Sequence, residues 1–306
     1  MVELVLKDKV AVTERVSLFR FEAASGALPG YEPGAHVDFE LPVGMRSYSL
    51  VDFTAPVAGV WQVAVQREED GDGGSKAMHG LAAGDTVQAS EPKNDFRLFG
   101  GDAPTLLIAG GIGVTPILSF AETLKRGGKD YAFHYATRSE GVCAFGREAR
   151  DLGAWLWFDD DTAIDLSGVI GAADRAAHIY CCGPRPMIEA VRELAEKAGF
   201  DHEQVHFELF ASPDSHEGDA AFEVEINDGR VFTIPADKTI VEVLEEAGVD
   251  VMYDCARGDC GICQTDVLAG EPDHRDVVLS DAERAAGEVM QICVSRAKSA
   301  RLKLDI

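Results

Sequence analysis

Through the first hundred positions, apolar and polar residues alternate in short runs. Residues 16–22, 37–41, 61–66 and 86–89 show a period of two, the spacing of strands that bury one face. Turn formers punctuate these runs at Pro29-Gly30, Pro33-Gly34 and Pro42. Several short strands separated by such turns predict a small antiparallel β-barrel. One helix is expected to start at Gly74-Ser75 and run through His79.

The pattern changes after Pro104. Residues 105–109 (Thr-Leu-Leu-Ile-Ala) are almost uniformly apolar, as in a strand buried on both faces. A glycine-rich turn, 110–116, and an amphipathic helix to about Arg126 follow. Then come a strand at 131–137, a short helix at about 145–152, strands at 155–158 and 178–182, a helix at 186–198 and a last strand at 205–210. Such alternation predicts a parallel α/β sheet with helices on both faces. Residues 211–220 are polar and rich in breakers, as in a linker. Beyond them a hairpin (222–227 and 231–235), a helix (239–247) capped by Asp237 or Thr239, and strands at 290–294 and 301–305 predict a compact α+β unit. The division is therefore a barrel at 1–101, an α/β domain at 102–211, a linker at 212–220 and an α+β domain at 221–306.

Composition narrows the class. The 306 residues are 46% hydrophobic and 26% charged, as in soluble globular proteins, and no apolar run reaches the ~18 residues a membrane span needs. The formal net charge of −25 repels nucleic acid and anionic membranes; it favours a partner with a basic patch or, equally, serves solubility, so charge alone does not decide between them. Neither nucleic acid nor membrane is an expected partner. An acidic start, Met1-Val2-Glu3-Leu4, is unlike a signal peptide. Together with the odd number of cysteines, seven, this points to a reducing cytoplasm.

The cysteines carry the sharpest chemistry. Cys255, Cys260 and Cys263 follow C-x4-C-x2-C, and Cys293 comes after 29 intervening residues. That is the plant-type pattern for four thiolates on a [2Fe–2S] cluster. Gly258 and Gly261 allow positive φ and bring backbone N–H groups near the sulfurs. Structural zinc pairs its cysteines in two knuckles, whereas here the last stands alone. Ala256, Arg257 and Asp259 are expected at the exposed edge of the loop, with Arg257 as a partner contact.

Three further constellations lie at strand ends. They are Arg46-Ser47-Tyr48-Ser49 with the turn Gly71-Asp72-Gly73-Gly74-Ser75-Lys76; Gly110-Gly111-Ile112-Gly113-Val114-Thr115-Pro116; and Cys182-Gly183-Pro184-Arg185-Pro186-Met187. A glycine turn entering a helix can receive an anion, and the carboxyl edge of a parallel sheet is where dinucleotides bind. In this order the motifs resemble the ferredoxin–NADP⁺ reductase superfamily. With the cysteine pattern at the C-terminus, essentially the whole chain resembles the phthalate dioxygenase reductase and vanillate O-demethylase reductase family, the flavin–iron–sulfur partners of Rieske oxygenases.

The resemblance implies an FMN-binding barrel, an NAD(P)-binding α/β domain and a β-grasp-like ferredoxin domain. Arg46 would pair with the FMN phosphate, assisted by Ser47, Gly74, Ser75 and Lys76. Tyr48 and Ser49 would line the flavin ring, with Ser49 and Cys182 nearest the chemistry. Gly111, Gly113 and Thr115 would receive NADH, and Cys182, Gly183 and Pro184 would border its nicotinamide. Arg138 and Ser139 could grip a 2′-phosphate, which leaves NADPH open. Phe207, Glu208 and Phe210 match the family's H-F-E-x-F ending, where Phe210 could cover the flavin or pack in a core. The implied activity is electron transfer from NAD(P)H through FMN and the cluster to a Rieske-type oxygenase acting on an aromatic or similar small substrate. Alternatives are a self-contained flavin/iron–sulfur reductase of another acceptor and a non-enzymatic redox-sensing protein. A dihydroorotate-dehydrogenase electron-transfer subunit is disfavoured, because its fourth cysteine follows the third much more closely.

Overall fold

The computed structural model describes residues 1–52, 59–210 and 219–306. They form two compact units, Met1–Glu208 and Leu209–Ile306. The linker expected at 212–220 lies largely on residues 211–218, outside the described residues.

The first unit opens with β1 (Val2–Ala11), β2 (Val16–Ala23), β3 (His36–Leu41), β4 (Gly44–Ser49), β5 (Trp61–Gln66), α1 (Gly74–Gly80) and β6 (Thr86–Ala89). These six strands form one antiparallel sheet in the order β4-β3-β6-β1-β2-β5. Its ends meet where Leu50 bridges Val63, so the sheet curls into a near-closed barrel. Phe19, Phe21, Phe39, Trp61 and Met78 fill the interior. In β2 the alternation is incomplete because both faces are buried. Phe19 and Phe21 point into the barrel, while Val16 and Leu18 join a second core.

That second core belongs to the α/β part. It contains β7 (Thr105–Gly110), α2 (Val114–Arg126), β8 (Tyr131–Thr137), α3 (Gly146–Asp151), β9 (Trp155–Phe158), α4 (Leu166–Ala172), β10 (His178–Cys182), α5 (Arg185–Lys197) and β11 (Val205–Glu208). The strands run parallel in the order β11-β10-β7-β8-β9. Ile117 and Phe120 of α2 pack with Leu107 and Phe133 of the sheet and with Val16 and Leu18 of the barrel. Barrel and sheet therefore share one core. Helix α4 is not legible in the pattern: two glycines, Gly168 and Gly171, dilute it. It forms nonetheless, because Asp165 accepts a hydrogen bond from the Gly168 N–H and Ile170 is buried.

The second unit holds β12 (Phe222–Glu225), β13 (Val231–Ile234), α6 (Ile240–Glu246), β14 (Gln264–Ala269), β15 (Pro272–Asp273), α7 (Asp281–Ala286), β16 (Val289–Gln291), β17 (Arg296–Ala297) and β18 (Arg301–Leu304). Its main sheet runs β13-β12-β18-β14-β16. The β12–β18 pair is parallel and its neighbours are antiparallel, a β-grasp-like arrangement. Thr239, not Asp237, caps α6, in a reciprocal box with Glu242. Asp219 and Arg275 form a buried bidentate ion pair with contacts of 2.6 and 2.8 Å. Arg296 donates to the carbonyls of Ala220, Pro235 and Lys238. These bonds pin the start of the unit to its body. Among the described residues, no helix is long and apolar enough to cross a membrane.

Candidate active site and metal centre

Strand β4 positions the first group. Opposite β3 its register is Phe39–Arg46, Asp38–Ser47, Val37–Tyr48 and His36–Ser49. Arg46 and Tyr48 thus share one face of the strand, and Ser47 and Ser49 the other. The Arg46 guanidinium donates to the carbonyls of Met45 (2.8 Å) and Asp72 (3.3 Å). A Cβ on Gly74 would fall 2.6 Å from Arg46 Cγ, so only glycine lets the arginine lie across the start of α1. Arg46 and Gly74 are brought together. Ser75 and Lys76 are drawn elsewhere: the Ser75 hydroxyl accepts from the Glu68 N–H at 3.0 Å, and the Lys76 ammonium donates to the Glu69 carbonyl. Ser47 donates to Asp38 at 2.5 Å. Burial disfavours the Asp38 carboxylate, but Ser47 and Lys93 more than offset that, and its pKa falls below the usual range. Tyr48 is half-buried against Phe39, rings 5.9 Å apart and edge-on. Burial pushes its phenol up to about 12, so it stays protonated at neutral pH.

The second group lies at the carboxyl edge of the parallel sheet. Cys182 is in register with Ala109 on one side and Glu208 on the other. Glu208 is only 5% exposed and Ser49 6%, and the Ser49 hydroxyl donates to Glu208 Oε2 at 3.3 Å. A barrel strand and the last sheet strand therefore meet through one buried bond. In the sequence Glu208 stands out only as part of a strand-end motif. The available signal is an acidic residue closing the last strand of the parallel sheet, where it is the one fully buried position. Around this point two turns interlock. A Cβ on Gly113 would lie 2.3 Å from the Cys182 carbonyl oxygen, and one on Gly110 would lie 2.7 Å from both Pro184 Cδ and Met187 Sδ. Gly183 backs onto Gly110 in the same way. Gly111 has φ +53°, a left-handed conformation suited to glycine. The Thr115 hydroxyl turns inward, donating to the Ile112 carbonyl at 3.1 Å. Arg138 is exposed and Ser139 half-buried beyond the end of β8. The Asp159 and Asp160 N–H groups donate to the Thr137 and Arg138 carbonyls at 3.0 and 3.1 Å, which sets an acidic turn beside Arg138. Phe210 is 43% exposed and belongs to the second unit.

The cysteine loop forms the third group. Cys263 and Cys293 sulfurs lie 3.0 Å apart, and Cys255 is within hydrogen-bonding reach of both Cys260 and Cys293. The loop is shaped by left-handed backbone at Ala256 (φ 50°), Gly258 (φ 82°) and Gly261 (φ 78°). The Arg257 N–H donates to Cys255 Sγ at 3.3 Å, and the Ile262 and Cys293 amides serve Cys260 and Cys263. Crowded together, the thiols share protons: Cys255 and Cys263 are held low, Cys260 and Cys293 high. Metal binding removes all four protons. Among the described residues no three side chains form the shell of a single ion. A two-iron cluster does not ask for one, since each iron takes two of the four thiolates. The convergent sulfurs and their N–H donors fit such a cluster.

Residues 224–298 match the family of 2Fe-2S iron-sulfur cluster binding domains. The chain is 41% identical over 299 residues to phenoxybenzoate dioxygenase subunit beta of Ectopseudomonas oleovorans, covering 95% of this chain and 93% of that protein. It is 39% identical over 324 residues to vanillate O-demethylase oxidoreductase of Pseudomonas sp. (strain HR199 / DSM 7063), covering all of both. Among solved structures it matches phthalate dioxygenase reductase with a TM-score of 0.73 and 34% identity over 99% of this chain and 97% of that one. The chain belongs to the phthalate dioxygenase reductase and vanillate O-demethylase reductase family. It is an iron–sulfur oxidoreductase. The reductase also matches an intact type IV self-sufficient cytochrome P450 monooxygenase, with a TM-score of 0.74 and 33% identity. There it spans 41% of the longer chain.

The structure corrects one expectation about the reductase's cluster loop. Arg257 is not an exposed partner contact: its side chain is 13% exposed and lies 3.7 Å from the 5% exposed carboxylate of Asp259. Asp259 in turn accepts from the Leu209 N–H at 2.7 Å. The exposed positions on and beside the loop are Met252, Asp254, Ala256 and Ile262. Cys181 is core, and burial pushes its thiol up.

Proposed function

We propose that this protein is the NADH-dependent reductase component of an oxygenase system, binding FMN and a nicotinamide nucleotide on its first unit and a [2Fe–2S] cluster on its second. The buried Ser49–Glu208 bond beside Cys182 carries this reading. It supports the reading because a protected proton, on Ser49 Oγ, would then lie at the edge where a parallel sheet receives a dinucleotide. Bound flavin would supply the conversion between the two-electron hydride of a nicotinamide and the single electrons a [2Fe–2S] cluster accepts.

The chain's own residues do the rest. Arg46, held over Gly74, offers a permanently charged fork suited to a phosphate. Tyr48 supplies a neutral aromatic face. The interlocked Gly110, Gly113 and Gly183 let backbone approach a nucleotide closely. Burial of Ser49, Glu208 and Cys182 keeps water from the reacting edge. The acidic turn at Asp159 and Asp160, bonded beside Arg138, disfavours a 2′-phosphate and can accept from a ribose hydroxyl; this supports NADH over NADPH. A Rieske-type oxygenase acting on an aromatic or similar small substrate is the proposed acceptor, as the names of the relatives support. The P450 likeness supports a second reading, in which a haem protein receives the electrons.

Anaerobic titration of the reconstituted protein with NADH tests the proposal. Flavin bleaching followed by the electron paramagnetic resonance signal of a reduced cluster is expected, with NADPH at least about tenfold less efficient. A protein that binds the cluster but no flavin would refute it. Turnover with purified Rieske oxygenases and haem monooxygenases then decides the acceptor.

A further inference from the structure

The parallel sheet has a second concave site at its other end. Gly110, Thr137 and Cys182 close their strands at the nucleotide edge, whereas Thr105, Tyr131 and Trp155 open theirs. Near these first residues a cavity of about 550 Å³ lies between the sheet and α4, within the ~300–1,000 Å³ typical of small-molecule sites. One wall is aromatic. His134 stacks on Trp155 with centroids 4.9 Å apart and on Trp157 at 6.0 Å, each pair tilted by only 20°. Trp155, on the edge strand β9, is 57% exposed, an unusual state for so large an apolar ring. Small residues of α4, Gly168 and Ala172, keep the opposite side open.

The charges are one-sided. Asp130, Asp165 and Asp174 line the cavity, and among the described residues no lysine or arginine does. Asp165 and Asp174 each use Oδ1 to accept a backbone N–H, and all three side chains are exposed. His134 adds no positive charge. The Trp157 Nε1–H donates to its Nδ1 at 3.2 Å, which requires the neutral Nε2–H tautomer, and burial further opposes protonation.

We propose that this cavity binds a small organic cation, an ammonium group bearing aryl or alkyl substituents. Aromatic faces attract such a cation through their quadrupoles, the substituents cover the exposed Trp155 ring, and the carboxylates supply the counter-charge. Anions of the same size meet the carboxylates and are repelled. This site is independent of the electron-transfer reading above.

Isothermal titration of the intact protein with benzyltrimethylammonium chloride tests it, with sodium benzoate as the anion of similar size. Saturable one-to-one binding is expected, about tenfold or more tighter than benzoate, and unchanged by saturating NADH. Trp155→Ala and, separately, Asp130→Lys should each weaken it about tenfold while NADH oxidation proceeds at the wild-type rate. The second variant alters only an exposed side chain, so it decides the matter if the first fails to fold. Absence of saturable heat, equal binding of benzoate, displacement by NADH, or wild-type affinity in the folded variants would overturn the proposal.

Discussion

The cysteine loop and the Ser49–Glu208–Cys182 group are assembled by opposite routes. Three of the four candidate ligand cysteines sit within nine consecutive residues, 255–263. Left-handed turns at Ala256, Gly258 and Gly261 wrap them locally. Only Cys293 must arrive from elsewhere. The other group has no local signature. Ser49 closes a barrel strand, Cys182 ends β10 and Glu208 ends β11, and only strand register and a shared core bring them together. A local site can be damaged at one residue without disturbing the fold, whereas a site made by register depends on distant packing.

The sharpest way to break the comparison is at the local site. Cys260→Ala should abolish the iron–sulfur absorption while leaving flavin reduction by NADH intact; a surviving cluster spectrum would remove Cys260 from the ligand set. Next in size, Glu208→Gln, which removes the charged acceptor of the Ser49 hydroxyl, should slow NADH oxidation by up to about 10²-fold. Its cluster signal should be unchanged, and stopped-flow flavin reduction is the measurement; an unaltered rate would leave the buried carboxylate with a packing role only.

Gly113→Ala probes register itself. A Cβ placed 2.3 Å from the Cys182 carbonyl forces the two turns apart, at a cost of about 1–3 kcal/mol. Chemical denaturation should show that loss, and the KM for NADH should rise; wild-type values in both would mean the turns give way freely.

The smallest expected effect concerns His206. Burial first, then the nearby His178 and His202, lowers its pKa from 6.5 to about 4. The fold thus favours the neutral ring. Its stabilising share is complete above pH 6.5 and is lost as pH falls from there toward 4, where the folded ring also takes its proton. Between pH 6.5 and 5 the loss is about 1.5 kcal/mol. Thermal melts of wild type against His206→Gln should converge over that window, and parallel pH profiles would contradict the assignment.

Legibility followed the same division. The strands of the parallel sheet were readable because burial on both faces leaves uninterrupted apolar runs, as at Thr105–Gly110. Strand β1 was not. Six of its ten residues are charged or exposed, and it is held by pairing with β2 and β6 rather than by its own pattern. Helices α4 and α7 were also missed. Each is short and depends on a side-chain cap, Asp165 or Ser280, whose contribution of about 1 kcal/mol leaves little periodic trace. Arg257 is not legible because spacing cannot report burial: a basic residue in an acidic chain reads as exposed, whereas Asp259 lies within 3.7 Å of it in the fold.

By itself, the amino-acid sequence determined the layer types, the order of the motifs and the spacing of the four candidate cluster cysteines. All of these are written in spacings of a few residues, where chain geometry leaves few choices. Tertiary structure alone decided that barrel and sheet share one core, that Ser49 reaches Glu208, that Arg257 turns inward, and that an aromatic cavity stays open below α4. Those outcomes depend on which distant surfaces meet, and no short stretch of chain encodes that.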